Sequence, residues 1–442
     1  MNQRFDLKAG AATVEITPRE AHFLHGYPFV ERISTGTHDP LLSSSIYLTN
    51  GQEKVLFISN DILYLNKKSV ARIRESVHSK IGVAENNIMI ATTHTHSGPV
   101  TVNLITSEND PVVPKVDKKL LKHIERGVVE SACKAFENAV PAEILFELAD
   151  ASGVGTNRHD PLGPKDMNVP VMVVRDTIGK YLACMLVCSM HPTVLHEDST
   201  LYSRDFPYFI RKQLQRELLG DRCPVIYFTG AAGNQSPRHV TKANTFEEAK
   251  RLGKIVADSV ASKLTGNKRY ESDVVISSRQ YLVDLPKREF PTVEWAEQHC
   301  QTVKEHFENL KKKSAGLREI RTAEVNWFGA EELLFLSKKN ESGSLEKAYK
   351  ACMPAEIQVV KIGDWFFVTW PGEIFVEYAL ELKKRFDKIA LITYANGELQ
   401  GYITTKEAVD KGYYEAGNSL FSWESGVVLV DKTSEIIKEF AR

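Results

Sequence analysis

Long apolar runs are missing from this 442-residue chain. The longest stretch, Tyr181 to Met190 (YLACMLVCSM), is about half of the roughly 20 residues that a membrane-spanning helix needs. No stable membrane anchor is therefore expected. An excess of one charge is missing too: 56 Lys plus Arg stand against 57 Asp plus Glu, for a formal net charge of −1. That balance indicates no nucleic acid partner and no anionic membrane surface. Cysteine is scarce. Cys133, Cys184, Cys188, Cys223, Cys300 and Cys352 are scattered, and Cys184 with Cys188 lacks zinc-knuckle spacing, so all six read as reduced core thiols. The opening MNQRFDLKAGAATVEITP holds no apolar segment of the secretory type, and a cytoplasmic location is expected. Repeats and low-complexity segments are also absent.

What remains is an ordinary globular composition, 43% hydrophobic and 26% charged, long enough for two or three domains or one large α/β unit. Val55 to Asp61 reads as a buried strand, Lys67 to Ile81 as a helix and Asn87 to Thr93 as a second strand, which is a βαβ unit. Asp117 to Ala139 carries a helical stripe of Leu120, Ile124, Val128, Ala132 and Phe136. Val169 to Val174, Tyr181 to Met190 and Pro224 to Thr229 read as further strands. A helix follows over Thr245 to Leu264, opened by a capping box of Thr245 and Glu248. Residues 291–349 are helical and highly charged, and are expected to form an insertion with a mostly solvated face within a catalytic unit of residues 1–290 and 350–442. Strands resume at Ala355 to Ile362 and Trp365 to Trp370. A Pro-Gly turn then places Glu373 in the first turn of a helix. The expected fold is α/β, a mixed or parallel sheet core with a metal site at its strand ends.

The stretch ATTHTHSGP, Ala91 to Pro99, ends one of those strands. In an extended chain residues i and i+2 share a face, so His94 and His96 can enter one pocket. They offer two nitrogens to a metal, or one to a metal and one to a substrate, unless they are simply surface histidines. His191 stands at a second strand end, and Glu373 beyond a third. Two histidines and a carboxylate from separate strand ends are a common ligand set for a catalytic zinc with an open position. Asp205, before Phe206 and Pro207, reads as an N-cap. Asp61 and His38 are candidates for groups that brace the ligands. The loop GAAGNQSPR after Thr229 has no P-loop lysine. Its Ser236 has no nucleophile elbow around it and reads as a pocket-loop residue.

Taken together, AGAATVEITP, HGY, GTHDPL, THTHSGP, TNR, the His191 strand end, DFP, GNQSP, PGE and GYITTKEAVDKGYYEAGNSLF resemble, in order, the catalytic domain of the neutral/alkaline ceramidases. These are zinc hydrolases that cleave the amide between a fatty acid and sphingosine. The resemblance implies Zn2+ as the cofactor, with His94, His191, Glu373 and Tyr402 as its ligands. It implies His96, Arg158 and Tyr414 as catalytic groups around the scissile carbonyl, His96 passing a proton to the leaving amine. Zinc would lower the pKa of a bound water from 15.7 to roughly 7. The loop differs from the family's Gly-Asp-Val-Ser-Pro by an Asn for the Asp, and His159 follows Arg158 where the family has small residues. The chain stops about twenty residues after Phe421, so no C-terminal immunoglobulin-like domain is expected. With no signal and no basic amphipathic anchor, the expected partner is a small-molecule substrate, a soluble N-acyl compound rather than long-chain ceramide. A true ceramidase, an ester hydrolase and a non-catalytic binding relative are the alternatives.

Overall fold

The structure of the protein, a computed structural model, describes residues 6–440. Lys8–Glu15 (β1), Leu42–Thr49 (β2), Lys54–Asn60 (β3), Ile88–Thr92 (β4), Val140–Asp150 (β5), Asn168–Asp176 (β6), Tyr181–Cys188 (β7) and Val225–Thr229 (β8) form one sheet. Their spatial order is β8-β7-β6-β5-β1-β2-β3-β4. Only the outermost pairs, β7 with β8 and β3 with β4, run parallel. A parallel neighbour needs a crossover, and Lys67–Ile81 (α1) supplies it between β3 and β4. Asn66 caps that helix by accepting from Ser69 N, and Gly82 ends it at φ 66°. On Lys118–Glu137 (α2), Asp117 accepts from Lys119 N and Leu120 N, which fixes the start of the expected apolar stripe.

These two helices cover one half of the sheet's outer face. Phe206–Leu214 (α3) and Phe246–Leu264 (α4) cover the other half. At α4 only half of the expected capping box forms. Thr245 accepts from Glu248 N, while the Glu248 carboxylate turns to Lys242 N and Arg251.

The inner face of the large sheet meets a second one. Ile276–Val283 (β9), Ala355–Ile362 (β10), Trp365–Thr369 (β11) and Ile389–Ile392 (β12) lie in the order β9-β10-β11-β12. Phe57, Met89, Met185 and Ile226 of the first sheet share one buried cluster with Val360, Ile362, Phe367 and Ile392 of the second. Between β9 and β10 the chain forms the expected helical excursion, Val293–Lys312 (α5), Leu317–Glu341 (α6) and Leu345–Cys352 (α7). Val376–Arg385 (α8) and Glu424–Glu439 then close the outer face of the second sheet. The outcome is two stacked sheets between helical layers, a mixed α/β architecture in which antiparallel ladders outnumber parallel ones. All six cysteines are free, and no helix among the described residues is long and apolar enough to cross a membrane.

The large sheet curls until its two edges meet. Ser59 Oγ on β3 donates to Tyr227 O on β8 at 2.5 Å, and Thr229 Oγ1 donates to Thr93 O at 2.7 Å. The chain leaving β12 fills the seam. Thr393 N donates to Thr229 O at 2.9 Å, and Asn396 N donates to Ile90 O at 2.7 Å. Edge strands carry unpaired backbone groups that must find partners when buried, and this seam provides them. It also brings the ends of β4, β7, β8, β11 and β12 to one place.

Asn396 is the clearest point at which to test the seam. Its Oδ1 accepts from Ile90 N, and its Nδ2 donates to Gln358 Oε1 and Thr369 Oγ1, all in a buried setting. Asn396→Ala should cost about 2–4 kcal/mol, because it orphans several buried polar groups at once. An unchanged melting temperature would contradict this.

Candidate metal centre

His94 follows β4 by two residues, His191 follows β7 by three, and Glu373 lies past the end of β11. The three histidines His94, His96 and His191 each offer a ring nitrogen, and these lie within 4.8 Å of one another. Glu373 joins them: its Oε2 is 3.2 Å from His191 Nε2 and 3.6 Å from His94 Nε2. Tyr402 is placed by the short parallel pair Glu373–Ile374 and Tyr402–Ile403, whose register sets Glu373 beside Tyr402. Four of the expected site residues, His94, His191, Glu373 and Tyr402, thus converge in a buried cluster with His96.

Two local expectations are corrected. β4 ends at Thr92, and His94 adopts φ 61°, so the pleat of an extended strand does not align the two histidines. A left-handed residue turns the chain, and their rings still come to 5.0 Å between centroids. Glu373 is not in the first turn of a helix, since α8 begins at Val376 after a Phe375 cap and Glu373 pairs as a short strand.

Second contacts fix the ring chemistry. His191 Nδ1 lies 2.6 Å from Ala232 O and 3.2 Å from Gln235 O, and His94 Nδ1 lies 3.1 Å from Leu63 O. Carbonyls only accept, and at His191 the 2.6 Å carbonyl contact outweighs Arg158 Nη2 at 3.2 Å, so Nδ1 carries the proton in both rings and each Nε2 presents a lone pair. The glycine-rich loop after β8 therefore contributes carbonyls here, not N–H groups. Ser236 pairs with Thr156 and accepts from Arg238 N, and it does not line the cavity over the histidines. Burial, then the Arg158 charge, holds His191 down at about 4. Burial followed by the neighbouring His94 and His191 holds His96 well below its usual range. Neither ring nitrogen of His96 has a hydrogen-bond partner among the described residues. Gly26 lets His96 sit there: at φ 124°, a Cβ on it would come 2.4 Å from His96 Nδ1.

Several important groups gave no signal in the sequence. The Tyr64 hydroxyl donates to Glu373 Oε1, and the Tyr394 ring stacks on His94 at 4.1 Å. Glu415, fully buried, takes Arg158 Nη1 at 3.0 Å and His159 Nε2 at 2.9 Å, so the unusual His159 has a partner. Arg158 stands behind the cluster: its Nη2 is 3.2 Å from His191 Nδ1, and it does not line the cavity. Tyr414 does line it. Asp61 is occupied by Arg211 and Leu42 N, and His38 by Asp39, so these two do not brace the histidines directly. Asp205 caps α3 as expected, and also accepts from Leu195 N.

The cavity over the cluster is about 100 Å³. His25, His94, His96 and Tyr27 form one wall, and Glu331, Glu332 and Phe335 of α6 form another. The helical excursion is therefore not merely a solvated face. Burial pushes Glu332 up to about 8.

No protein-family model matches the chain. In sequence it is similar to neutral ceramidase B of Dictyostelium discoideum, 23% identical over 219 residues, which are 44% of this chain and 30% of that protein. It is also similar to a neutral ceramidase of Oryza sativa subsp. japonica, 28% identical over 163 residues, 35% of this chain and 19% of that one. The matches span less than a third of the length of these relatives. In structure the chain superposes on the neutral ceramidase from Pseudomonas aeruginosa with a TM-score of 0.72 at 17% identity, over 97% of this chain and 74% of the other. A ceramidase complexed with C2 gives 0.73 at 16% identity, with the same coverage. The resemblance read from the motifs is borne out, and the mixed α/β fold is that of the neutral ceramidases.

His25 lines the same cavity, and burial followed by His94 holds it at about 4 against the ordinary 6.5. Between those values the unfolded chain binds the proton and the folded chain does not, so stability from this group rises with pH across the window. In chelator-treated protein, the melting temperature of the wild type relative to His25→Leu should fall as pH drops from 7 to 5. A gap independent of pH would contradict the assignment.

Proposed function

We propose that the protein is a zinc-dependent hydrolase that cleaves an N-acyl amide bond in a small, soluble molecule. One observation carries the metal. Two imidazole nitrogens, His94 Nε2 and His191 Nε2, face the carboxylate oxygen Glu373 Oε2 inside the protein, and His94 Nε2 and Glu373 Oε2 have no hydrogen-bond partner among the described residues. Three electron-rich atoms this close repel unless a cation sits among them. Their spacing of 3.2 and 3.6 Å suits tetrahedral zinc, for which bonds of 2.0–2.1 Å imply ligand separations of roughly 3.3 Å. His94, His191 and Glu373 would hold the ion, with Tyr402 as a further oxygen ligand. When bound, such an ion supplies hydroxide at neutral pH and polarises a carbonyl.

The remaining groups divide by how they are held. His94 and His191 are locked by backbone carbonyls, as metal ligands usually are. His96 has no such anchor and is neutral, so it suits a proton carrier that accepts from the nucleophile and donates to the leaving amine. Tyr414, lining the cavity, would donate to the developing oxyanion. Arg158 lies behind the cluster, paired with Glu415, and its charge acts on the neighbouring Tyr402 phenol. It would act by orienting Tyr402 rather than on the carbonyl itself. A cavity of about 100 Å³ is below the roughly 300–1,000 Å³ of pockets that enclose drug-sized ligands, which favours a short polar acyl compound over a long-chain lipid.

His94→Ala should lose metal and activity together, read by elemental analysis and turnover. Tyr414→Phe should keep the metal and lose about 10²–10³ in kcat, the usual loss for one oxyanion donor. Short-chain N-acyl amides should be cleaved faster than long-chain ceramide in detergent at equal concentration. A clear preference for the long-chain lipid would overturn the substrate assignment.

A further inference from the structure

We propose that Glu332, on α6, is a positioning residue for Tyr414, acting through Asn418, so that the helical excursion builds part of the reaction centre. The inference rests on the role given to Tyr414 above. Three observations carry it. Asn418 Nδ2 donates to Glu332 Oε2, and the same nitrogen lies 3.3 Å from the Tyr414 hydroxyl. An amide nitrogen has two hydrogens, so Asn418 can serve the carboxyl group and the phenol oxygen together. All three side chains line the cavity over the histidines.

The backbones are locked as well. A Cβ on Gly329 of α6 would come 3.0 Å from Tyr414 Cα, and one on Gly417 would come 2.4 Å from Gly329 O. Neither glycine has a positive φ, so close approach is what requires them. The one-turn helix Tyr414–Gly417 thus rests directly on α6.

The consequence concerns the direction of a proton. With its oxygen accepting from Asn418, the Tyr414 hydroxyl keeps its own hydrogen free to donate. By accepting from Asn418 Nδ2 through Oε2, Glu332 keeps the amide turned so that NH2, not C=O, faces the phenol. Without Glu332 the amide can flip or rotate, and Tyr414 loses its fixed direction. Small misplacements of catalytic donors are costly.

The test uses full-length, metal-loaded protein, 4-nitroacetanilide as the probe, and 3-fluorotyrosine labelling with the Tyr414 fluorine signal assigned by its absence in Tyr414→Phe. Glu332→Ala should lower kcat about 10- to 100-fold with KM and metal content little changed, while Glu332→Gln, which retains an acceptor, stays within about threefold. In the Tyr414→Phe background Glu332→Ala should add nothing, because both changes remove one function. The Tyr414 fluorine signal should move in Glu332→Ala and in Asn418→Leu, and stay in place in Glu332→Gln. A Glu332→Ala loss that persists at full size in the Tyr414→Phe background, or an unmoved fluorine signal, would overturn the proposal. If Tyr414→Phe alone leaves kcat intact, it is the oxyanion role of Tyr414 that fails, and the fluorine signal still decides the link to Glu332.

Discussion

The carboxylate of Glu373 is the constraint on which the site depends. It is 7% exposed, one oxygen takes the Tyr64 hydroxyl, and the other faces two imidazole lone pairs. A buried carboxylate is tolerated only when paired and hydrogen-bonded. Here the two imidazoles beside it do not donate to it. Leu63 O, Ala232 O and Gln235 O hold the imidazole protons on the far side of each ring. That arrangement suits a cation, which is the reading proposed above. Glu415 repeats the logic one layer out, where it is satisfied within the protein by Arg158 and His159.

The sheet seam makes the cradle possible. β4 and β8 are at opposite edges of the eight-stranded sheet, yet Thr229 Oγ1 reaches Thr93 O. His94 and His191 are delivered from the two ends of one curled sheet, while Glu373 comes from the second sheet and Tyr402 from the loop that follows it. The left-handed conformations of His94, Tyr394 and Asn396 all occur at this junction. Strained backbone of this kind persists where the surroundings over-determine it, and the seam bonds supply that. α6 then covers the result and helps bound a cavity of about 100 Å³.

Much of this was legible in the sequence, and the reasons differ by element. The strands at 54–60 and 225–229 and the helices at 67–81 and 246–264 lie within a residue or two of their expected bounds, because apolar spacing and a cap such as Thr245 are local signals. The convergence of His94, His191, Glu373 and Tyr402 came from motif order, which carries long-range information that periodicity does not. The i,i+2 explanation for THTH was wrong, since no local rule anticipates a left-handed histidine. Tyr64, Glu415 and Asn418 looked like ordinary polar or aromatic positions until the fold set them around the candidate site. The helices at 291–349 read as mostly solvated because the segment is highly charged throughout. Only packing of α6 against Tyr414–Gly417 brings Glu331 and Glu332 to the cavity.

Anomalous scattering from a crystal of the protein grown with zinc, collected on both sides of the zinc absorption edge, addresses the central claim most directly. One zinc peak per chain is predicted, about 2.0–2.2 Å from His94 Nε2, His191 Nε2 and Glu373 Oε2, and lost in Glu373→Gln. A chain without that peak, in which protons on the imidazoles pair them with Glu373 directly, would contradict the account.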